Sequence, residues 1–318
     1  MQPLVSVICL CYNHARFLEE ALQSVLAQTY KNIEIIVVDD FSTDNSASII
    51  DRFCEKHPKI TFIRNEKNYG NCRSFNTAWR QSKGDFIIDF ATDDVMQPER
   101  VMEQVQALQQ AGPQYGVCYT DAVLIDEQSR QVGYHYKRSK KGKLLSFAPS
   151  GDVFAEVLRR YFINPPSMMM RREVFKKLNG YDETLAYEDF DFWVRSSRYF
   201  KYLYLDKPLT LRRLHPHSLS KQFLKRENKL IASTVAVCER ALHLIRTPEE
   251  KNALITRIEI ELRQAFFTEN FKEAETLFTL LEQLREPTLF QKVLKKAVNK
   301  RLKIGFVRKW YHQIRYQH

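Results

Sequence analysis

The 318 residues are 44% apolar and 27% charged, which excludes a disordered chain and, by length, calls for one core of roughly 200 residues plus an appendage. No apolar run approaches the roughly 18 residues of a membrane span, and the apolar start has neither a basic flank nor a small-residue cleavage site, so the reading is a cytoplasmic protein without a signal peptide. The net charge of +11 is uneven, because residues 221–318 hold 20 Lys and Arg against 11 Glu and no Asp, a bias that points to an anionic surface as partner.

Residues 4–10 (LVSVICL) form a nearly continuous apolar run, the pattern of a strand covered on both faces in a parallel sheet. A helix is predicted next, capped by Asn13, with Phe17, Leu18, Ala21, Leu22, Val25 and Leu26 at helical spacing. Residues 33–38 (IEIIVV) read as a second buried strand, Asp44 as the cap of a helix reaching His57, and residues 60–63 as a third strand. A helix over 73–81 precedes a strand at 85–90 (DFIIDF), and Pro98 opens a further helix, where its missing N–H costs nothing. Strands alternating with helices through short links make a doubly wound α/β layer, and ligands of such layers sit at the carboxyl ends of the strands. Between 115 and 215 the pattern is mixed, with short strands at 116–120, 202–205 and 209–214. Beyond 220 only helices are predicted, over 230–244, 253–266, 271–284 and from 289 onward, with Pro248 and Pro287 as breaks. The six cysteines show no CxxC or Cys/His ligand spacing and read as reduced, buried thiols.

Polar clusters fall at the predicted strand ends. In VVDDFSTDNS, Asp44 and Ser42 suit capping of the next helix, whereas Asp39 and Asp40 lie too early for that and suit N–H or O–H groups of a ligand. Asp93 and Asp94 end another strand with no Lys beside them, a hard-oxygen pair suited to Mg²⁺ or Mn²⁺ bridging phosphate oxygens. In YEDFDFW, Glu188 and Asp189 start a helix, where negative charge is favoured by the dipole; Asp189 is also a candidate general base. LRRLHPHSLS brings Arg212, Arg213 and His215 together after a strand, a set suited to phosphate oxygens and metal coordination.

Residues 4–46, NYGNCRSFN at 68–76, residues 84–100 and residues 179–215, in this order and spacing, resemble the family-2 glycosyltransferases of the GT-A fold. The resemblance implies an inverting enzyme that takes a sugar from a nucleotide diphosphate donor, by preference a UDP-sugar. It implies that Tyr12 stacks on the base, Asp40 accepts from a uracil-type N–H with Asp39 in support, and Arg73 and Asn76 help to hold the nucleotide and diphosphate. It further implies Asp93 at the ribose, Asp94 and His215 at a Mn²⁺ or Mg²⁺ ion, Arg212 or Arg213 at the diphosphate, Asp189 as catalytic base, and Glu188, Trp193 and Arg195 as acceptor-site framing or packing. Many members carry Asp-x-Asp-Asp where this chain has Ala91-Thr92-Asp93-Asp94, so one carboxylate of that pattern is missing. The domains implied are a GT-A domain at 1–220, with a nucleotide-sugar half at 1–112 and an acceptor half at 113–220, followed by a helical region at 221–318.

NPPSMMM at 164–170 reads either as an adaptable apolar wall of the acceptor site or as core strand. In the tail, Phe290, Leu294, Val298, Leu302, Phe306 and Trp310 recur every fourth residue between basic residues. That stripe either lies on anionic lipid, fitting a carbohydrate or lipid-linked carbohydrate acceptor of surface polysaccharide or lipopolysaccharide, or packs on the preceding helices. No GxGxxG follows the first strand, which sets aside a dehydrogenase. The aromatics of the tail are not interleaved as stacking platforms, which sets aside a nucleic-acid partner. The competing class is a non-catalytic sugar-nucleotide-binding or membrane-associated scaffold, against which the set Asp40, Asp94 and Asp189 argues.

Overall fold

A computed structural model describes residues 2–216 and 229–303. The first strand, β1 (Val5–Cys11), is buried at every position, as its unbroken apolar run requires, and β2 (Ile33–Asp39), β3 (Thr61–Arg64) and β4 (Phe86–Ala91) continue the layer. β1 pairs in parallel with β2 on one side and β4 on the other, and β2 with β3. Four helices cover this half: α1 (Leu18–Leu26), α2 (Ser46–Lys56), α3 (Asn71–Gln81) and α4 (Arg100–Ala111). Leu18, Ala21, Leu22 and Val25 of α1 and Val101, Val105 and Leu108 of α4 enter one core with Val5, Val7, Cys9, Ile35 and Val37. Each Val, Leu or Ile among these contributes about 1.5–3 kcal/mol when fully buried.

The sheet then becomes mixed. The short β5 (Val95–Met96), β6 (Tyr115–Ile125), β7 (Gln131–Tyr134), β8 (Met169–Arg171) and β9 (Lys201–Arg213) complete it, in the order β3-β2-β1-β4-β8-β6-β9-β5 with β7 on β6. β8 runs antiparallel to β4 and β6, β5 antiparallel to β9, and β6 parallel to β9. The α/β doubly wound mixed sheet is thus present. The two strands predicted at 202–205 and 209–214 are one, β9. Pro208 lies opposite Asp121, where the register shifts, so its missing N–H falls at an irregularity of the ladder. Met169 and Met170 belong to β8 and, with Met168, are buried; of the two readings of NPPSMMM the structure has core strand.

Of the two caps read from the sequence, the one at Asn13 is not formed and the one at Asp44 is formed in part, since the N-cap of α2 is Asn45. Asn13 does not cap α1, whose N-cap is Phe17; it adopts a left-handed backbone with φ 57° and its Oδ1 accepts from Thr43 N at 2.7 Å. Asp44 accepts from Ser46 N at 2.9 Å and Ala15 N at 3.0 Å, so one carboxylate serves both the start of α2 and the loop after β1. Pro98 lies two residues before α4, which opens at Arg100.

Two compact units are distinguished: Met1–Val153 with Phe162–Thr184 and Arg195–His215, and Phe154–Tyr161 with Leu185–Val194 and Pro216–His318. The first holds the sheet, α1 to α4 and α6 (Arg172–Leu178). The second holds α5 (Phe154–Arg159), the start of α7 (Asp189–Ser197), and α8 (Lys229–Leu242), α9 (Pro248–Phe267), α10 (Phe271–Leu284) and α11 (Leu289–Asn299). Pro248, read as a break, instead occupies the first turn of α9 behind a Thr247–Glu250 capping box. Among the described residues no helix is long and apolar enough to cross a membrane, and all six cysteines are thiols, five of them buried.

Candidate functional site

β1 lies between β2 and β4, so successive connections leave it on opposite sides and open a crevice at the carboxyl ends of these strands. The loop after β1 presents Tyr12 at 45% exposure. It is laced to the loop after β2, since Asn13 N donates to Ser42 Oγ at 2.9 Å and His14 N to Ser46 Oγ at 3.1 Å.

Asp39 ends β2. Its Oδ2 accepts from Ser42 N at 3.3 Å, while Oδ1 is buried with no hydrogen-bond partner among the described residues. Asp40 is buried too, and both its oxygens are used: Oδ1 by Asn65 Nδ2 and Tyr69 N, each at 2.8 Å, and Oδ2 by Gly70 N at 2.9 Å. Gly70, at φ 84°, turns that amide inward and opens α3. Asp40 therefore holds the entry to α3, and with about four acceptor positions on a carboxylate it keeps room for one ligand donor.

On α3, the exposed Arg73 lies 4.2 Å over the ring of Tyr69. Asn76 is fully buried and engaged elsewhere: Nδ2 donates to Tyr181 O and Glu183 Oε1, and Oδ1 accepts from Tyr181 N, each at 2.9 Å. The amide predicted at the nucleotide is occupied in pinning this turn. Gly180, at φ +82°, is required there, because a Cβ would stand 2.4 Å from Asn76 Oδ1.

After β4, the Thr92 hydroxyl donates to Leu10 O at 3.0 Å and meets His14 Nδ1 at 3.0 Å. With its hydrogen committed, Thr92 accepts from Nδ1, which leaves Nε2 of a neutral His14 as an acceptor. Asp93 Oδ2 lies 2.9 Å from His215 Nε2 and 3.9 Å from His14 Nε2, and Asp93 Oδ1 is buried with no partner among the described residues. Burial opposes the charge of Asp93, but the hydrogen bond from His215 and the two neighbouring imidazoles hold its carboxyl below the usual range. Burial pushes the His14 imidazole down, against the pull of Asp93. Asp94 goes the other way: burial, then the charge of Asp93, push it well above the carboxylate range although Arg213 N donates to its Oδ1 at 2.8 Å.

The two arginines of β9 differ. Arg213 is buried, its Nε donating to Asp93 O at 2.9 Å, its Nη1 to Asp126 O at 3.1 Å and Ser129 Oγ at 3.0 Å, and its Nη2 to Glu20 Oε2 at 2.7 Å. That guanidinium is committed to the fold and is not open to a diphosphate. Arg212 is half-buried and near enough to Asp94 to lower its pKa, and its guanidinium has no hydrogen-bond or ion-pair partner among the described residues.

The structure thus brings Tyr12, Asp39, Asp40, Asp93, Asp94, Arg212 and His215 to one end of the sheet, and pairs His215 with Asp93 where the sequence reading put it at a metal beside Asp94. Sequence reasoning gave no role to His14 or Thr92; their signal was only a place at a strand end. Among the described residues no three His, Cys, Asp or Glu gather as a metal cluster. Two acids with one unmatched oxygen and an imidazole nonetheless suit a Mg²⁺ or Mn²⁺ whose coordination is completed by phosphate oxygens and water.

In the second unit, Asp189 is the first residue of α7. The turn is set by Phe190 and Tyr161, whose rings lie 5.3 Å apart, with the Arg257 guanidinium 4.0 Å over Tyr161 and 5.0 Å over Phe190. Trp193, read as acceptor-site framing or packing, is 3% exposed and packs edge-on against Tyr161; of the two readings the structure has packing. Asp191 is buried and ion-paired with Arg240.

The model of glycosyl transferase family 2 matches residues 6–178, more than half the chain. The chain belongs to this family. It is 34% identical over 214 residues to an uncharacterized glycosyltransferase of Rickettsia typhi, covering 64% of this chain and 63% of that one. It is 30% identical over 202 residues to one of Methanocaldococcus jannaschii, covering 61% and 64%. The match therefore spans a little under two thirds of these relatives' length. Among solved structures, TarS 1–349 of S. aureus in complex with UDP-GlcNAc superposes with a TM-score of 0.70 at 16% identity, over 99% of this chain and 93% of that one. The mannosyltransferase PcManGT of Pyrobaculum calidifontis, in complex with GDP-Man and Mn²⁺, gives 0.59 at 17%, over 98% and 83%. These likenesses are of fold, the GT-A mixed sheet followed by helices.

Proposed function

We propose that the protein is an inverting glycosyltransferase that moves a sugar from a nucleotide diphosphate, by preference UDP, to a hydroxyl of a carbohydrate or lipid-linked carbohydrate in bacterial surface polysaccharide or lipopolysaccharide synthesis. One observation carries the reading: Asp39 and Asp93, at the ends of strands flanking β1, each bury a carboxylate oxygen without a partner among the described residues. Leaving such an acceptor unmet costs about 1–3 kcal/mol or more, which the N–H and O–H groups of a nucleotide, or a cation, would offset. That the structural neighbours are complexes with UDP-GlcNAc and with GDP-Man and Mn²⁺ supports the same class of ligand.

In this reading Tyr12 stacks on the base, Asp40 and Asp39 accept from its N–H, Asp93 meets the ribose hydroxyls, and Arg73 lies toward the diphosphate. Asp94 and His215 would hold Mn²⁺ or Mg²⁺, which neutralises charge on a departing diphosphate. Arg212 adds its guanidinium to the same charge. Asp189, at the start of α7, takes the proton of the acceptor hydroxyl while Glu188 frames that acceptor. The acceptor oxygen bonds to the anomeric carbon as the bond to the diphosphate oxygen breaks with its electron pair, and one displacement inverts the centre.

The test is a panel of nucleotide sugars with Mn²⁺, following nucleoside diphosphate release with and without chelator. Release from one donor, abolished by chelator, is expected. Tight UDP binding with no release from any donor would turn the reading into that of a sugar-nucleotide-binding scaffold.

A further inference from the structure

The predicted apolar stripe of the tail is not a single face. Leu294 and Val298 are buried on the side of α11 that packs on α10, and Phe306 and Trp310 lie outside the described residues. Phe290 of that stripe faces outward at 69% exposure, with Leu289 at 81% and Val293 at 59% beside it. At 100° per residue, Leu289, Val293, Ala297 and Phe290 share a sector of about 100°, and on the side away from Leu294 and Val298 three lysines line its edge, Lys292 and Lys296 just outside it and Lys300, the C-cap, just inside it. Lys295, one residue off this border, is taken by Glu282 at 2.6 Å. The three bordering lysines are exposed and have no acidic partner among the described residues. No acid follows Glu286 in the sequence, against nine Lys and Arg. Three large apolar side chains held outward on a capped helix, beside unpaired lysines, have a polarity that water alone does not reward.

We infer that this face of α11 docks on an anionic lipid surface, with Leu289, Phe290 and Val293 entering the interfacial region and Lys292, Lys296 and Lys300 meeting headgroup phosphates. The charge decides the occupant. A second copy of this chain would bring the same lysines against each other, whereas an anionic bilayer supplies the opposite charge and an apolar layer at the same depth. This goes beyond sugar transfer and does not depend on it.

The test is flotation of the full chain with vesicles of phosphatidylcholine alone or with about one third phosphatidylglycerol. The chain should float with the anionic vesicles and not with the neutral ones. Lys292→Glu/Lys296→Glu/Lys300→Glu should weaken the partition by about 100-fold or more, and Phe290→Ser/Val293→Ser by about tenfold or more. Thermal unfolding and UDP binding should be unchanged in both variants, since neither set packs in the core. Equal flotation of wild type and variants, no flotation of the wild type, or a lipid-free dimer that these substitutions dissociate, would each overturn the inference.

Discussion

His215 Nε2 meets Asp93 Oδ2 at 2.9 Å, joining the end of β9 to the end of β4 across 122 positions of sequence. The bond fixes the orientation of Asp93 and leaves its other oxygen buried without a partner among the described residues. Loss of a residue from the ligand shell of a metal or from its supporting contacts typically changes metal affinity by about 10–100-fold. His215→Ala should therefore raise the Mn²⁺ concentration needed for half-maximal product release by that factor, with the maximal rate recovered at high Mn²⁺. A Mn²⁺ titration at saturating donor measures it, and an unshifted midpoint would separate His215 from the cation.

Arg212 and Arg213 are neighbours with opposite duties. Arg213 is enclosed by Asp93 O, Asp126 O, Ser129 Oγ and Glu20 Oε2, with its guanidinium 4.5 Å over the Phe17 ring. Lysine cannot reproduce that fork, so Arg213→Lys should cost about 2–4 kcal/mol of stability. Arg212→Ala should leave the unfolding midpoint within a degree or two of wild type, as for a surface change, and weaken UDP binding by about tenfold, the loss of one charge-assisted contact. Calorimetry of unfolding and of UDP binding on both variants gives the comparison; the reverse pattern would exchange their roles.

Much of this arrangement was legible in the sequence because the forces are local. β1, β2 and β4 are short apolar runs that only a doubly covered strand accommodates, and acids placed just after them, Asp39, Asp40, Asp93 and Asp94, had to emerge at one edge. What was not legible depends on partners far along the chain. Asn76 and Arg213 have the residue types of ligand-binding groups, and only the turn at 180–183 and the loop at 126–129 reveal that they are used internally. The strand at 201–213 read as two because the register shift that tolerates Pro208 lies in its pairing with β6. Trp193 and Leu294 could have faced either way until the helices beneath them were in place.

Asn76 and Glu183 give a pH-dependent test of that internal use. The hydrogen bond from Asn76 holds the Glu183 carboxyl below its usual range, burial opposes this, and Arg80 adds to the lowering. A depressed carboxyl contributes stability above its unfolded pKa of about 4.3 and loses it as pH falls through the folded value. Thermal unfolding of wild type and Glu183→Gln should therefore differ at pH 7 and converge below about pH 4. Asn76→Ala, which removes three hydrogen bonds in a buried setting, should cost about 2–4 kcal/mol while UDP affinity changes by less than about twofold. A large loss of affinity with intact stability would return Asn76 to the nucleotide.

Asp189 and Asp191 lie two residues apart on α7 and offer a control within one helix. Asp191 is 1% exposed and bound by Arg240, so its carboxylate is committed to holding α7 against α8. A base must reach an acceptor hydroxyl, and Asp189 is half-buried at the helix start. Asp189→Asn should lower transfer by about 10²–10⁴ with UDP affinity nearly unchanged, because a general base acts only in the transition state. Asp191→Asn should lower the unfolding midpoint and reduce activity only as far as the folded fraction falls, because it leaves Arg240 without its charged partner. Initial rates, UDP titration and thermal unfolding on the two variants separate these outcomes. Transfer retained by Asp189→Asn would remove Asp189 from the chemistry, and an equal loss of midpoint in both would assign it to the same packing as Asp191.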